Sequence, residues 1–374
     1  MRTLFDETKL NGMILKNRLV RSATWEGMAA PDGRPTAKLA ALYATLAQGE
    51  VGLIITGYTY ISPDGKQFPG QMGIQRDEFC PDMRLLAEAV HREGGKICLQ
   101  LVHCGGQAST AAAGRRPWAP SAVKVAQFPE TPEELTEARI LDLIALFGNG
   151  ARQAWECGFD AVQLHAAHGY LINQFLSPLT NRRTDRWGGD IEGRGRFLME
   201  SYRSIRANVG PDYPVLVKLN GSDNLTDGLT LDDAVHAARA LDAEGIDAIE
   251  VTSGTPASGG ESPVRQHIDT PAQEAYNLAL AKRIKSAVTC PVMVVGGLRS
   301  YDVSSGIIRR GEADYVALAR PLIREPDLPR RWQSGDEAHA RCISCNGCFK
   351  PGLKQGGIYC VIDAIEREAK GASL

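Results

Sequence analysis

Apolar and polar positions along the chain follow two alternating periodicities. Short, predominantly apolar runs rich in β-branched residues fall at Leu19–Thr24, Val51–Gly57, Lys96–Val102, Ala161–His165, Val215–Asn220, Ala248–Thr252, Val292–Val295 and Tyr315–Leu318. Continuous apolar runs of this kind suit parallel strands covered on both faces. Between most of them lie segments with helical spacing, such as Leu231–Leu241 and the shorter Val303–Arg310, which Gly311 ends. Eight strand–helix units in succession predict an α/β fold, a (β/α)8 TIM barrel over residues 1–335, with a short Cys-rich extension over 336–374. A doubly wound open sheet is the rival architecture. Against it, the units are too many and no GxGxxG follows the first strand.

A barrel changes how the polar exceptions are read, because its ligand sites lie at the C-terminal ends of the strands. The third strand carries Gln100 and runs into His103. The fourth ends in His165, followed by His168 and Tyr170. The fifth carries Lys218, the seventh runs into Gly296-Gly297 and the eighth into Ala319-Arg320. A barrel built for packing alone would gain nothing from polar groups converging on one face. The long segments Gly105–Glu130 and Gly254–His267 follow strands three and six, so both are predicted to overhang that face.

Composition narrows the class further. The 374 residues are 43% hydrophobic and only 6% aromatic, so aliphatic packing dominates a large core. A net charge of −2 gives no basic footprint for nucleic acid. No segment is apolar for the length of a membrane span, and the first residues lack the apolar stretch of a secretory signal. The expectation is a cytoplasmic enzyme with neither a nucleic-acid nor a membrane partner. Of nine cysteines, Cys80, Cys98, Cys104, Cys157 and Cys290 are scattered and read as small buried hydrophobes.

The chemistry of the polar set is specific. Two imidazoles three residues apart, His165 and His168, can share one carbonyl oxygen and stabilise charge that develops on it. Tyr170 offers a phenolic proton. The bland alternative is two histidines satisfied in a turn beside a packing tyrosine. Gln100 can both donate and accept. Lys218 is either a cation that stabilises an anion or the Schiff-base nucleophile of a barrel lyase or aldolase. Gly296-Gly297 with Arg320 suit a phosphate.

The run from His165 to Pro178, continued by Asn181-Arg182-Arg183-Thr184-Asp185-Arg186-Trp187-Gly188-Gly189, resembles the hallmark of the Old Yellow Enzyme family of NADH:flavin oxidoreductases and ene-reductases. Lys16-Asn17-Arg18 and Ala317-Leu318-Ala319-Arg320-Pro321 extend the resemblance over nearly the whole chain. It implies FMN in the barrel mouth, NAD(P)H as hydride donor and an α,β-unsaturated carbonyl compound as substrate. It implies His165 and His168 as carbonyl ligands and Tyr170 as proton donor. It also implies flavin contacts from Ser22, Ala23, Thr24, Trp25, Gly57, Gln100, Lys218, Gly296, Gly297, Ala319 and Arg320. Many members have Pro where Ala23 stands and Thr or Cys where Trp25 stands. Trp25 offers no hydroxyl or thiol to tune a flavin; it serves instead as a packing lid in the alternative reading. Members are often dimers or tetramers, so a homo-oligomer is expected.

Cys342-Ile343-Ser344-Cys345-Asn346-Gly347-Cys348, with Cys360 eleven residues on, is a metal-type spacing. It resembles the extension of the 2,4-dienoyl-CoA reductase and trimethylamine dehydrogenase branch, which carries a [4Fe–4S] cluster. There three residues separate the second and third cysteines; here two do. Zinc is the alternative for four thiolates, and four reduced thiols the bland one. A cluster at Cys342, Cys345, Cys348 and Cys360 would open a second functional reading. This is an iron–sulfur flavoprotein reductase fed by a partner and acting on an enoyl or dienoyl thioester or a specialised metabolite.

Overall fold

The computed structural model describes residues 2–354 and 356–369. Eight parallel strands form a closed ring: β1 Leu19–Arg21, β2 Leu53–Ile55, β3 Ile97–Val102, β4 Ala161–Ala166, β5 Val215–Asn220, β6 Ala248–Thr252, β7 Val292–Val295 and β8 Tyr315–Leu318. Each pairs with its neighbours in sequence, and β8 returns to β1 with Val316 opposite Leu19. The chain is therefore a (β/α)8 barrel. β1 ends three residues earlier than expected, where Ser22 leaves the ring after a last amide bond to the Leu318 carbonyl at 2.9 Å.

The outer helices follow the apolar spacing. They are α1 Ala37–Gln48, α2 Cys80–His91, α3 Glu137–Glu156, α4 Ile191–Val209, α5 Leu231–Ala243, α6 Leu278–Lys285, α7 Tyr301–Arg309 and α8 Leu328–Gln333. In α3 the buried positions Ile140, Leu143, Ile144, Phe147, Ala151 and Ala154 make one stripe against the sheet. α5 starts at Thr230, whose hydroxyl accepts from the Asp233 amide while Asp233 reaches back to the Thr230 amide. That reciprocal cap satisfies two amides with no helical partner.

Two apolar layers position the site. One lies between strands and helices. The other fills the inside of the barrel with Val20, Leu53, Cys98, Ala161, Leu216, Ala248, Met293 and Ala317. An N-terminal hairpin, Thr8–Leu10 with Met13–Leu15, adds Leu10, Met13 and Leu15 to this inner layer and plugs the N-terminal end. Each Val, Leu or Met of this layer contributes roughly 1.5–3 kcal/mol by burial, and each alanine less. With that end filled, the described residues leave the barrel open to a ligand at the C-terminal ends of the strands.

After α8 the chain crosses back over this open end. Helices α9 Phe349–Lys354 and α10 Val361–Ala369 follow. Gly27 (φ +66°) packs so close to α9 that a Cβ would lie 2.8 Å from the Gly352 carbonyl oxygen. The Ile358 amide donates to the Glu26 carbonyl at 2.8 Å, and Arg324 pairs with Glu366 at 2.6 Å. Residues 370–374 of the expected extension lie outside the described residues.

The scattered cysteines divide. Cys98, Cys104 and Cys290 are buried thiols, as expected. Cys80 and Cys157 are not independent hydrophobes: they form a disulfide, because the first residue of α2 abuts the residue that ends α3, with Cα atoms 5.3 Å apart. Among the described residues, no helix is long and apolar enough to cross a membrane.

Candidate active site

Strand geometry delivers the polar residues. Alternate residues of a strand face the same side, so Gln163 and His165 of β4 both point into the barrel. Parallel register sets Gln100 of β3 opposite Gln163, and Lys218 of β5 between His165 and Glu250 of β6. The side chains then join in one chain of hydrogen bonds. Gln100 Nε2 donates to Gln163 Oε1 at 2.7 Å, and Gln163 Nε2 donates to Glu250 Oε2 at 2.9 Å. Glu250 Oε1 accepts from Lys218 Nζ at 2.9 Å and from Ser22 Oγ at 2.5 Å. Lys218 Nζ also donates to Ser22 Oγ at 2.7 Å. The Lys218 and Glu250 side chains are 3% and 0% exposed. Burial of two charges is tolerated when they are paired and otherwise hydrogen-bonded, which this network achieves. One atom is left over: Gln100 Oε1 is buried without a partner.

Beyond β4 the backbone turns through two left-handed residues, His168 (φ +58°) and Gly169 (φ +75°). For a histidine this is an uncommon conformation that needs outside support. Asn220 Oδ1 accepts the His168 amide at 3.2 Å, and Asn173 Oδ1 accepts the Gly169 amide at 2.5 Å. Both asparagines donate to Asp223 Oδ1. The turn gathers three rings. His165 lies 5.1 Å from His168 and 4.8 Å from Tyr170 between centroids.

Local bonds and burial define the protonation of this trio. His165 Nδ1 accepts the Ala167 amide at 3.3 Å, so the neutral ring carries its proton on Nε2. His168 Nε2 lies 2.9 Å from Thr252 Oγ1. Burial, then the neighbouring charges of His168 and Lys218, holds His165 well below the usual imidazole range. Burial and Lys218 do the same to His168. Burial, with Cys104 nearby, raises the Tyr170 phenol far above its ordinary value, so it keeps its proton. Tyr170 and Tyr58 both donate to Gln67 Oε1, at 2.8 and 3.0 Å.

These groups share one cavity of about 350 Å³ at the barrel mouth. Its lining includes Ser22, Ala23, Thr24, Trp25, Gln100, His165, His168, Tyr170, Lys218, Ala319 and Arg320. A narrow pouch of about 50 Å³ adjoins it, walled by Gly296, Gly297, Arg299, Ala319 and Arg320.

Residues 3–339 match the family described as NADH:flavin oxidoreductase / NADH oxidase. The chain belongs to this family. It is 37% identical to a metal reductase of Desulforamulus reducens over 99% of this chain and 55% of that protein. It is also 37% identical to an NADPH dehydrogenase of a Geobacillus species, over 87% of this chain and 92% of the relative. A solved old yellow enzyme homologue from Zymomonas mobilis superposes with a TM-score of 0.79 at 26% identity, over 95% of this chain and 99% of that one. The chain thus spans about half the length of the longer curated relatives it matches.

One expected flavin contact, Gly57, is not among the residues that line the cavity at the barrel mouth. Its amide donates to Glu26 Oε1 at 2.9 Å, and a Cβ there would collide with Glu26 Oε2, so the glycine makes room for a buried carboxylate. Glu26 in turn pairs with Arg21 at 2.8 Å. Trp25, 8% exposed, lies against Phe68 at 5.4 Å between centroids and forms part of the cavity wall. Lys218 serves as a hydrogen-bond donor to a carboxylate, an arrangement unlike a free amine nucleophile.

The four C-terminal cysteines Cys342, Cys345, Cys348 and Cys360 surround a small cavity of their own. Among the described residues, no three His, Cys, Asp or Glu side chains are arranged to hold a single metal ion. Burial pushes the Cys348 thiol up to about 12. Arg320 Nη1 links this loop to the barrel mouth, donating to Asn346 Oδ1 at 2.7 Å and to the Ser344 carbonyl at 3.2 Å.

Sequence reasoning missed Glu250, Gln163, Thr252, Arg299, Tyr58 and Gln67. Glu250 did carry a signal: it and Lys218 are lone charges in two successive apolar runs, and parallel pairing sets them side by side. Gln67 lies in an irregular segment where nothing in the pattern marks it.

Proposed function

We propose that this chain is an FMN-dependent ene-reductase that uses NAD(P)H to saturate the activated C=C bond of an α,β-unsaturated carbonyl compound. The observation that carries the proposal is the trio of His165, His168 and Tyr170 around a cavity floored by Gln100, Lys218 and Ser22. The residues fit FMN on three counts. The unpartnered Gln100 Oε1 suits an imide N–H, Lys218 suits an electron-rich ring edge, and the glycine-walled pouch with Arg299 and Arg320 suits a phosphate. FMN, when bound, supplies a carrier that accepts and releases hydride.

The protein's own part is orientation and proton supply. His165 and His168 are neutral donors that hold the substrate carbonyl oxygen, withdraw density from the β-carbon and stabilise the charge growing on oxygen. Tyr170 donates its proton to the α-carbon as hydride reaches the β-carbon, and solvent returns a proton to the phenol. The overall balance is NAD(P)H, a proton and the enone giving NAD(P)+ and the saturated carbonyl compound. Gln67 positions the phenol through its bond to Tyr170. The test is enone-dependent NAD(P)H oxidation by FMN-loaded protein, with a product two hydrogens heavier. NAD(P)H oxidation indifferent to a panel of cyclic and linear enones would refute the substrate class.

The cysteine cavity supports a second element. Cys342, Cys345, Cys348 and Cys360 line one small cavity, and a C-x2-C-x2-C spacing is one that iron–sulfur clusters use. In that reading the chain works as an iron–sulfur flavoprotein that takes electrons from a partner. Iron and acid-labile sulfide in anaerobically purified protein test it, and zinc alone or no metal would refute it.

A further inference from the structure

We infer that Glu250, which does not line the cavity, is a positioning residue that fixes the hydrogen-bond polarity of the cavity floor and offsets the charge of Lys218. The inference rests on the flavin reading above. Glu250 is fully buried, and the proton-transfer scheme makes no use of it.

An ionised carboxylate only accepts hydrogen bonds. Glu250 Oε2 takes an N–H from Gln163, which turns the Gln163 carbonyl toward Gln100. That carbonyl takes an N–H from Gln100, and Gln100 is left presenting its own oxygen, the unpartnered Oε1. One buried charge on β6 therefore dictates, across two amides, that Gln100 on β3 is an acceptor. A ligand edge bearing N–H fits such a floor; an edge bearing only acceptors does not. An uncharged amide at position 250 would remove this direction, because each glutamine in the chain could then turn over.

The second oxygen of Glu250 acts on the cation. Oε1 accepts from Lys218 Nζ at 2.9 Å, and Ser22 Oγ bonds to both. In a barrel interior, opposite charges this close cancel much of each other's field. A bound flavin therefore meets an attenuated cation. The pull on the negative charge gained during reduction is weaker than a lone ammonium would exert.

The experiment compares FMN-loaded wild type with Glu250→Gln. The midpoint potential of the bound flavin is read by equilibration with a reference dye, and FMN affinity by fluorescence titration. The expected result is a higher potential in Glu250→Gln, with weaker FMN binding. Glu250→Asp retains the charge and withdraws it by one methylene, so it shifts the potential in the same direction by less. A flavin-loaded, folded Glu250→Gln with a potential equal to or below that of wild type overturns the inference and leaves the flavin reading intact. If Glu250→Gln does not fold, an unshifted or lowered potential in Glu250→Asp is equally decisive. Wild-type protein that takes up no FMN overturns both.

Discussion

The His165 and Tyr170 rings meet edge to face, 4.8 Å between centroids and 89° between planes. Residues five apart reach each other because His168 and Gly169 turn the backbone left-handed between them. The two rings are thus held together by one turn.

Tyr170→Phe keeps the ring and removes the proton. The expected outcome is a fall in enone reduction of about 10²- to 10⁴-fold, the range of a general acid. Steady-state kcat with a cyclic enone checks it. A loss below threefold would assign the proton to another group.

The histidines make stability depend on pH. An unfolded imidazole titrates near 6.5. His165 and His168 are held well below that value in the folded protein, chiefly by burial. Below about pH 6.5 the unfolded chain binds more protons, so stability falls as pH drops and is fully present above it. The slope approaches about 1.4 kcal/mol per pH unit for each histidine. Urea unfolding between pH 8 and pH 5 should show this decline, and His165→Asn/His168→Asn should flatten it.

Arg320→Met should weaken FMN far more than riboflavin, which lacks the phosphate. Losing a charged hydrogen bond of about 1.5–3 kcal/mol corresponds to roughly 10- to 150-fold in affinity. Fluorescence titration with both flavins checks this. Equal losses for the two would remove Arg320 from the phosphate pouch.

Gly27→Ala tests the attachment of α9. The new methyl would sit in a left-handed backbone conformation, 2.8 Å from the Gly352 carbonyl oxygen. Strain of this kind costs on the order of 1–3 kcal/mol. Faster proteolysis after residue 336, with the barrel intact, is the expected outcome.

The sequence pattern made the barrel legible because all eight strands are apolar runs too continuous for anything but a covered parallel sheet. The mouth residues of β3, β4, β5 and β8 were legible for a related reason, as polar groups where an apolar run should end. The tie of Gly57 to the Glu26 carboxylate was not legible because Glu26 comes from a segment with no periodic signal. The Cys80–Cys157 pair was missed because contact between the ends of α2 and α3 depends on helix lengths that periodicity fixes only loosely. Gln163 was overlooked because a single amide within Ala161–His165 gains meaning only once Gln100 and Glu250 flank it.

The most direct test of the account is a visible absorption spectrum of FMN-reconstituted protein, followed through anaerobic reduction by NAD(P)H and then addition of a cyclic enone. The account predicts an oxidised-flavin band that NAD(P)H bleaches and the enone restores. A protein that retains no flavin, or a bleached band that the enone leaves unchanged, would contradict it.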